Sequence, residues 1–111
     1  MKVRRTDTFV ILEDERNKVS DFAEYLELIV PKKFEKDNLI INLLKYDEMV
    51  LDELLLFLKL SNYHRASKHS FVIANDAVNP DDVPFEMIVV PTLQEAEDIV
   101  GMEEIERDLG F

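Results

Sequence analysis

Asn38-Leu39-Ile40-Ile41-Asn42-Leu43-Leu44 is the stretch on which the fold turns. Its apolar residues run almost without interruption. A strand with one face in water alternates apolar and polar side chains, whereas a near-continuous apolar run marks a strand covered on both faces, as in parallel sheets. After a polar loop, in which Asp47 is an expected helix N-cap, a helical period follows from about Leu51 to Arg65. Ser67-Lys68-His69 turns the chain, and Phe71-Val72-Ile73-Ala74 is a second buried strand. Strand, helix and strand in this order form a unit that closes with parallel strands and a right-handed crossover.

Toward the amino end, Phe9-Val10-Ile11-Leu12 reads as another strand, and Val3-Arg4 as the opening of a short, weakly marked one. Between Lys18 and Val30, residues Val19, Phe22, Ala23, Leu26, Ile29 and Val30 recur at helical spacing, and Pro31 is expected to end the helix. Toward the carboxyl end, Asn75 to Pro84 is a polar loop and Met87-Ile88-Val89-Val90 a further strand. Thr92-Leu93-Gln94-Glu95 opens the last helix with a capping-box pattern, a break is expected near Gly101, and Gly110 stops the final piece. The expectation is one α/β domain over residues 1–111, with a mixed, mostly parallel sheet of four to five strands and helices packed outside.

Composition narrows the function. The 24 acidic residues against 13 basic ones give a net charge of -11, which opposes binding to nucleic acid or to acidic lipid headgroups. With no cysteine, disulfides, thiolate metal sites and thiol catalysis are excluded. Met1-Lys2-Val3-Arg4-Arg5 has the charge of a signal peptide's first region but no long apolar stretch after it, so a cytoplasmic location is expected.

Enzyme signatures mostly fail. The two glycines, Gly101 and Gly110, cannot build a phosphate-cradling loop. His64 and His69 match no metal-ligand spacing and are expected to face solvent. Asp76, Asp81 and Asp82 fit no calcium-loop pattern. No serine lies in a nucleophile-elbow context. No catalytic residue, cofactor or metal is expected.

Leu51-Asp52-Glu53-Leu54-Leu55-Leu56-Phe57-Leu58-Lys59-Leu60 is the most apolar helical segment. At about 100° per residue Leu51, Leu54, Leu55 and Leu58 share one face, while Leu56, Phe57 and Leu60 spread toward another. That second face is either covered by neighbouring helices or exposed as an interaction patch. Lys59, Arg65, Lys68 and the two histidines gather around Tyr63, as a basic helix end or as an interaction feature.

The order of elements, and the segment Asn38 to Leu60 above all, resembles the STAS family of anti-sigma-factor antagonists. Leu39-Ile40-Ile41-Asn42-Leu43 is similar to that family's buried strand, with Asn42 where Asp is usual. Val50-Leu51-Asp52-Glu53-Leu54 takes the place of its Asp-Ser-Ser-Gly-Leu turn. The strands Phe71 to Ala74 and Met87 to Val90, with Gln94-Glu95-Ala96, are similar to the final third, while the helix usual between the last two strands is reduced to the loop Ala77 to Pro84. The resemblance implies a regulatory module binding an anti-sigma-type kinase or another signalling protein. The phosphorylated serine of that family aligns with Asp52, which is either a permanent imitation of the phosphate or a plain first-turn acid. Short chains of this kind also resemble ones labelled ribonuclease Z, but the metal ligands of such a nuclease are missing here. The expectation is a non-enzymatic interaction module whose contact residues are Tyr46, Asp47, Asp52, Leu56 and Leu60. The alternatives are a structural homodimer or assembly subunit on the same helix, and an accessory role in RNA processing.

Overall fold

The computed structural model describes residues 1–110. Five strands, β1 (Lys2–Arg5), β2 (Val10–Glu13), β3 (Leu39–Asn42), β4 (Phe71–Ala74) and β5 (Ile88–Val90), form one sheet in the spatial order β1-β2-β3-β4-β5. β1 pairs antiparallel with β2, and the other neighbours are parallel. The fold is therefore α/β with a mixed, mostly parallel sheet.

The helices are α1 (Val19–Lys33), α2 (Leu51–Leu54), α3 (Leu58–Ala66) and α4 (Leu93–Asp108). Strand order never reverses, so right-handed connections must all lie on one side of the sheet. Val10, Leu12, Leu39, Ile41, Phe71 and Ile73 form the larger core with residues of α1, of Leu51–Leu60 and of the β4–β5 connection. The alternate strand residues Ile11, Ile40 and Val72 point the other way, onto Ala96 and Val100 of α4. β3 and β4 are thus covered on both faces, which is why their sequences are continuously apolar.

Several helix details depart from the expectation. Pro31 lies inside α1, which runs on to Lys33. So near the end the ring forfeits one backbone bond, and Phe34 N–H still donates to Val30 O at 2.9 Å, seating Phe34 in the core. Gly101 does not break α4, which is continuous from Leu93 to Asp108. Asp47 is not an N-cap: α2 starts after Val50, whose N–H donates to the Glu53 carboxylate at 3.1 Å. Thr92 does cap α4, accepting from Glu95 N–H at 3.1 Å. Glu95 answers through the Thr92 hydroxyl, which donates to its carboxylate at 3.3 Å.

The segment from Leu51 to Ala66 is not one regular helix, because Leu55–Phe57 is a 3-10 turn. Each 3-10 residue advances about 120° rather than about 100°. Over three residues this adds roughly 60° and realigns the buried stripe. Leu54, Phe57, Leu60, Ser61 and His64 all face inward. Leu51, Leu55 and Leu58 flank that stripe, half-buried. Leu60 is therefore core, 4% exposed, and not a contact residue. Leu56, rotated away, is 42% exposed.

Candidate interaction surface

The carboxyl ends of the parallel strands carry three loops, and buried polar groups stitch them together. β2 ends at Glu13, and Asp14 follows, buried, its carboxylate accepting from Arg16 N–H at 3.0 Å. β3 ends at Asn42, whose side-chain oxygen accepts from Leu44 N–H at 3.1 Å and turns the chain, while its amide donates to Glu13 at 3.2 Å. β4 ends at Ala74, and Asn75 follows, buried. The Asn75 amide donates to Leu43 O at 2.9 Å and to Tyr46 O at 3.1 Å. Its oxygen accepts from the N–H groups of Ala77 and Val78. One side chain thus fastens the loop after β3 to the loop after β4.

On the other side, Tyr46 hydroxyl donates to Asp14 Oδ2 at 2.5 Å. Burial pushes the Tyr46 hydroxyl well above its usual range, and the Asp14 carboxylate pushes it further, so it stays a neutral donor. Lys45 Nζ donates to the carbonyl oxygens of Asp14 and Arg16. The loop after β3 is therefore pinned from both flanks (Asn75 on one, Asp14 on the other). The groups that do the pinning, apart from Tyr46, lay outside the expected site. A lone Asn just past a buried strand was the available signal for Asn75.

The loop's upper side faces water. Asp47, Glu48 and Asp52 are exposed, Val50 is 56% exposed, and Leu56 lies one turn on. Of the five expected contact residues, Asp47, Asp52 and Leu56 are exposed, Tyr46 is half-buried and serves as a strut, and Leu60 is buried. Because Glu53 satisfies the first free N–H of α2, Asp52 is not used as a cap. Beside this rim opens a cleft of about 390 Å³ walled by Asp14, Arg16, Asp21, Phe22 and Tyr25.

The opposite, amino end of the sheet is a closed polar network. Glu103 of α4 accepts from Arg65 at 2.7 Å and from Ser70 hydroxyl at 2.6 Å. Burial alone would push the Glu103 carboxyl up, but these hydrogen bonds outweigh it and hold it below the usual carboxylate range. Glu104 accepts from Asn38 and Arg107, and the Asn38 bond holds its carboxyl low as well. Arg65, expected as part of a basic patch around Tyr63, is thereby spent on Glu103, although Tyr63 is exposed. The expectation of two solvent-facing histidines is overturned: His64 is fully buried and His69 half-buried. Alternation of apolar residues gives no warning of this, since histidine sits where the core stripe passes into the network.

Among the described residues no group of three or more His, Cys, Asp or Glu is placed to hold a metal ion, and no helix is long and apolar enough to cross a membrane. No family model matches the chain, and no curated protein matches its sequence.

Proposed function

We propose that this chain is a non-enzymatic protein-interaction module of the cytoplasm that captures a protein partner on the rim formed by Lys45 to Leu56. One observation carries the reading. The rim's backbone is fixed from beneath by Asn75, Tyr46 and Lys45, while its top offers Val50 and Leu56 among the acids Asp47, Glu48 and Asp52. A surface fixed before binding loses little conformational entropy on association. Two apolar anchors on a stretch that also exposes three carboxylates suit a partner with an apolar pocket and basic residues beside it. The net charge of -11 speeds the approach of such a partner.

The resemblance to anti-sigma-factor antagonists supports the same location, since Asp52 takes the place of that family's phosphorylated serine. Asp52 then acts as a fixed charge at the edge of the interface, and an anti-sigma-type kinase or another signalling protein is the partner class to test first.

The test is capture of protein partners from the native cells by the wild type and by Leu56→Asp. The substitution falls on a half-exposed side chain, so the fold should persist with an unchanged circular dichroism spectrum. Loss of a specific captured protein supports the rim. Undiminished capture by the variant rules the rim out.

A further inference from the structure

His64 lies at the other end of the molecule from the rim. Its ring is wholly buried, with His69 and Phe71 each 6.0 Å away between ring centroids. Nε2 is 2.7 Å from the carbonyl oxygen of Asp37. A carbonyl oxygen only accepts, so Nε2 carries the hydrogen, and in a neutral ring Nδ1 is then the bare nitrogen. Among the described residues that buried Nδ1 has no hydrogen-bond partner, and neither has Nδ1 of His69.

A neutral imidazole tolerates this arrangement. An imidazolium would bring a second N–H with no protein acceptor and a charge into a fully buried site. The charged and titratable groups around it do not compensate. Arg65 on the same helix and His69 in the following turn oppose a positive charge. The Asp37 side chain, in the segment before β3, favours it but is held in a two-pronged pair with Arg5 at 2.8 and 3.2 Å. The Glu104 carboxylate of α4 is engaged by Asn38 and Arg107 and does not serve His64. Phe71 of β4 is apolar.

We propose that His64 is an acid-sensitive latch. In its neutral form it holds the end of α3 to the segment before β3, and taking up a proton releases this corner of the fold. The same corner anchors α4, because Ser70 and Arg65 bind Glu103 while Asn38 and Ser70 bind Arg107. Opening it therefore loosens the second half of α4 as well. Burial lowers the proton affinity of His64 in the folded state, consistent with this direction. The sign follows: a proton that binds the unfolded chain better draws the protein toward unfolding as pH falls below about 6.5. Each pH unit lowers the folding constant by up to about tenfold.

The experiment is denaturant unfolding at pH 7.5 and 5.5 for the wild type and His64→Gln. The glutamine amide can still donate to Asp37 O but takes up no proton. The wild type should lose up to about tenfold in folding constant between the two pH values, and the variant should lose clearly less. An equal loss in both overturns the latch. Should the variant not fold, the imidazole signals of the wild type decide by NMR. His64 staying neutral at pH 6 in the folded protein, with Leu39 and Ser70 amides losing protection as acid is added, supports it. His64 taking up its proton near pH 6.5 with those amides still protected overturns it.

Discussion

At the residue scale, Asn75 explains why the rim has a shape at all. It satisfies two carbonyls of one loop and two N–H groups of another from a position that is 3% exposed. Asn75→Ala would strand those groups away from water, and the loss should be about 2–3 kcal/mol by denaturant unfolding. It should also weaken partner capture, although Asn75 itself is buried. Leu56 and Leu60 give a second contrast, four residues apart in one helical segment. Leu60→Ala opens a core cavity and should cost about 2–5 kcal/mol, whereas Leu56→Ala should stay within about 1 kcal/mol. Equal costs for the two would mean that the stripe is misassigned. The sequence marks both leucines as apolar and can say no more. Which one faces inward depends on the 3-10 turn at Leu55–Phe57, and nothing in Leu-Leu-Phe announces it. Likewise Asn75 reads as an ordinary loop residue, because its partners Leu43 and Tyr46 lie some thirty positions away.

At the scale of elements, strand positions were legible because β3 and β4 are buried on both faces and their apolar runs are unbroken. Helix ends were less so. Pro31 and Gly101 are local signals for termination, and tertiary packing overrode both. Phe34, past the proline, is drawn into the core, and Val100, next to the glycine, is packed on the sheet. Beyond the helix's own backbone, nothing lies within 4 Å of the place a Cβ would take at Gly101. Gly101→Ala should therefore stabilise the protein by about 0.5–1 kcal/mol, read as a raised melting temperature. A loss of stability would show that the glycine is needed for its conformation. Thr92→Ala removes the acceptor for Glu95 N–H and should cost about 1 kcal/mol, a test that the cap works as well as it looks.

At the scale of the whole molecule, the two ends of the parallel sheet differ in kind. The amino end is closed, with carboxylates of α4 consumed by Arg65, Ser70, Asn38 and Arg107. The carboxyl end is pinned below and open above. Acid should therefore act on the closed end first. Glu103 and Glu104 are held below the usual carboxylate range, so their contribution is present at neutral pH and is lost as pH falls below about 4.5. The His64 step precedes it, beginning below about 6.5. Stability followed against pH should fall in those two stages, and a flat profile down to pH 4.5 would contradict the placement of His64. The fold class was legible from the periodicities. The division of labour between the two ends was not, because it rests on pairs such as Asn38 with Arg107, which only the folded chain brings together.

The rim, Lys45 to Leu56, is the proposed working surface. It is tested most directly by measuring the affinity of a captured partner for three proteins: the wild type, Val50→Asp with Leu56→Asp, and Met102→Asp with Ile105→Asp, whose side chains are exposed on α4. At least a tenfold loss is expected for the rim variant and little change for the α4 variant. The reverse pattern would place the working surface on α4 and overturn the proposal for the rim.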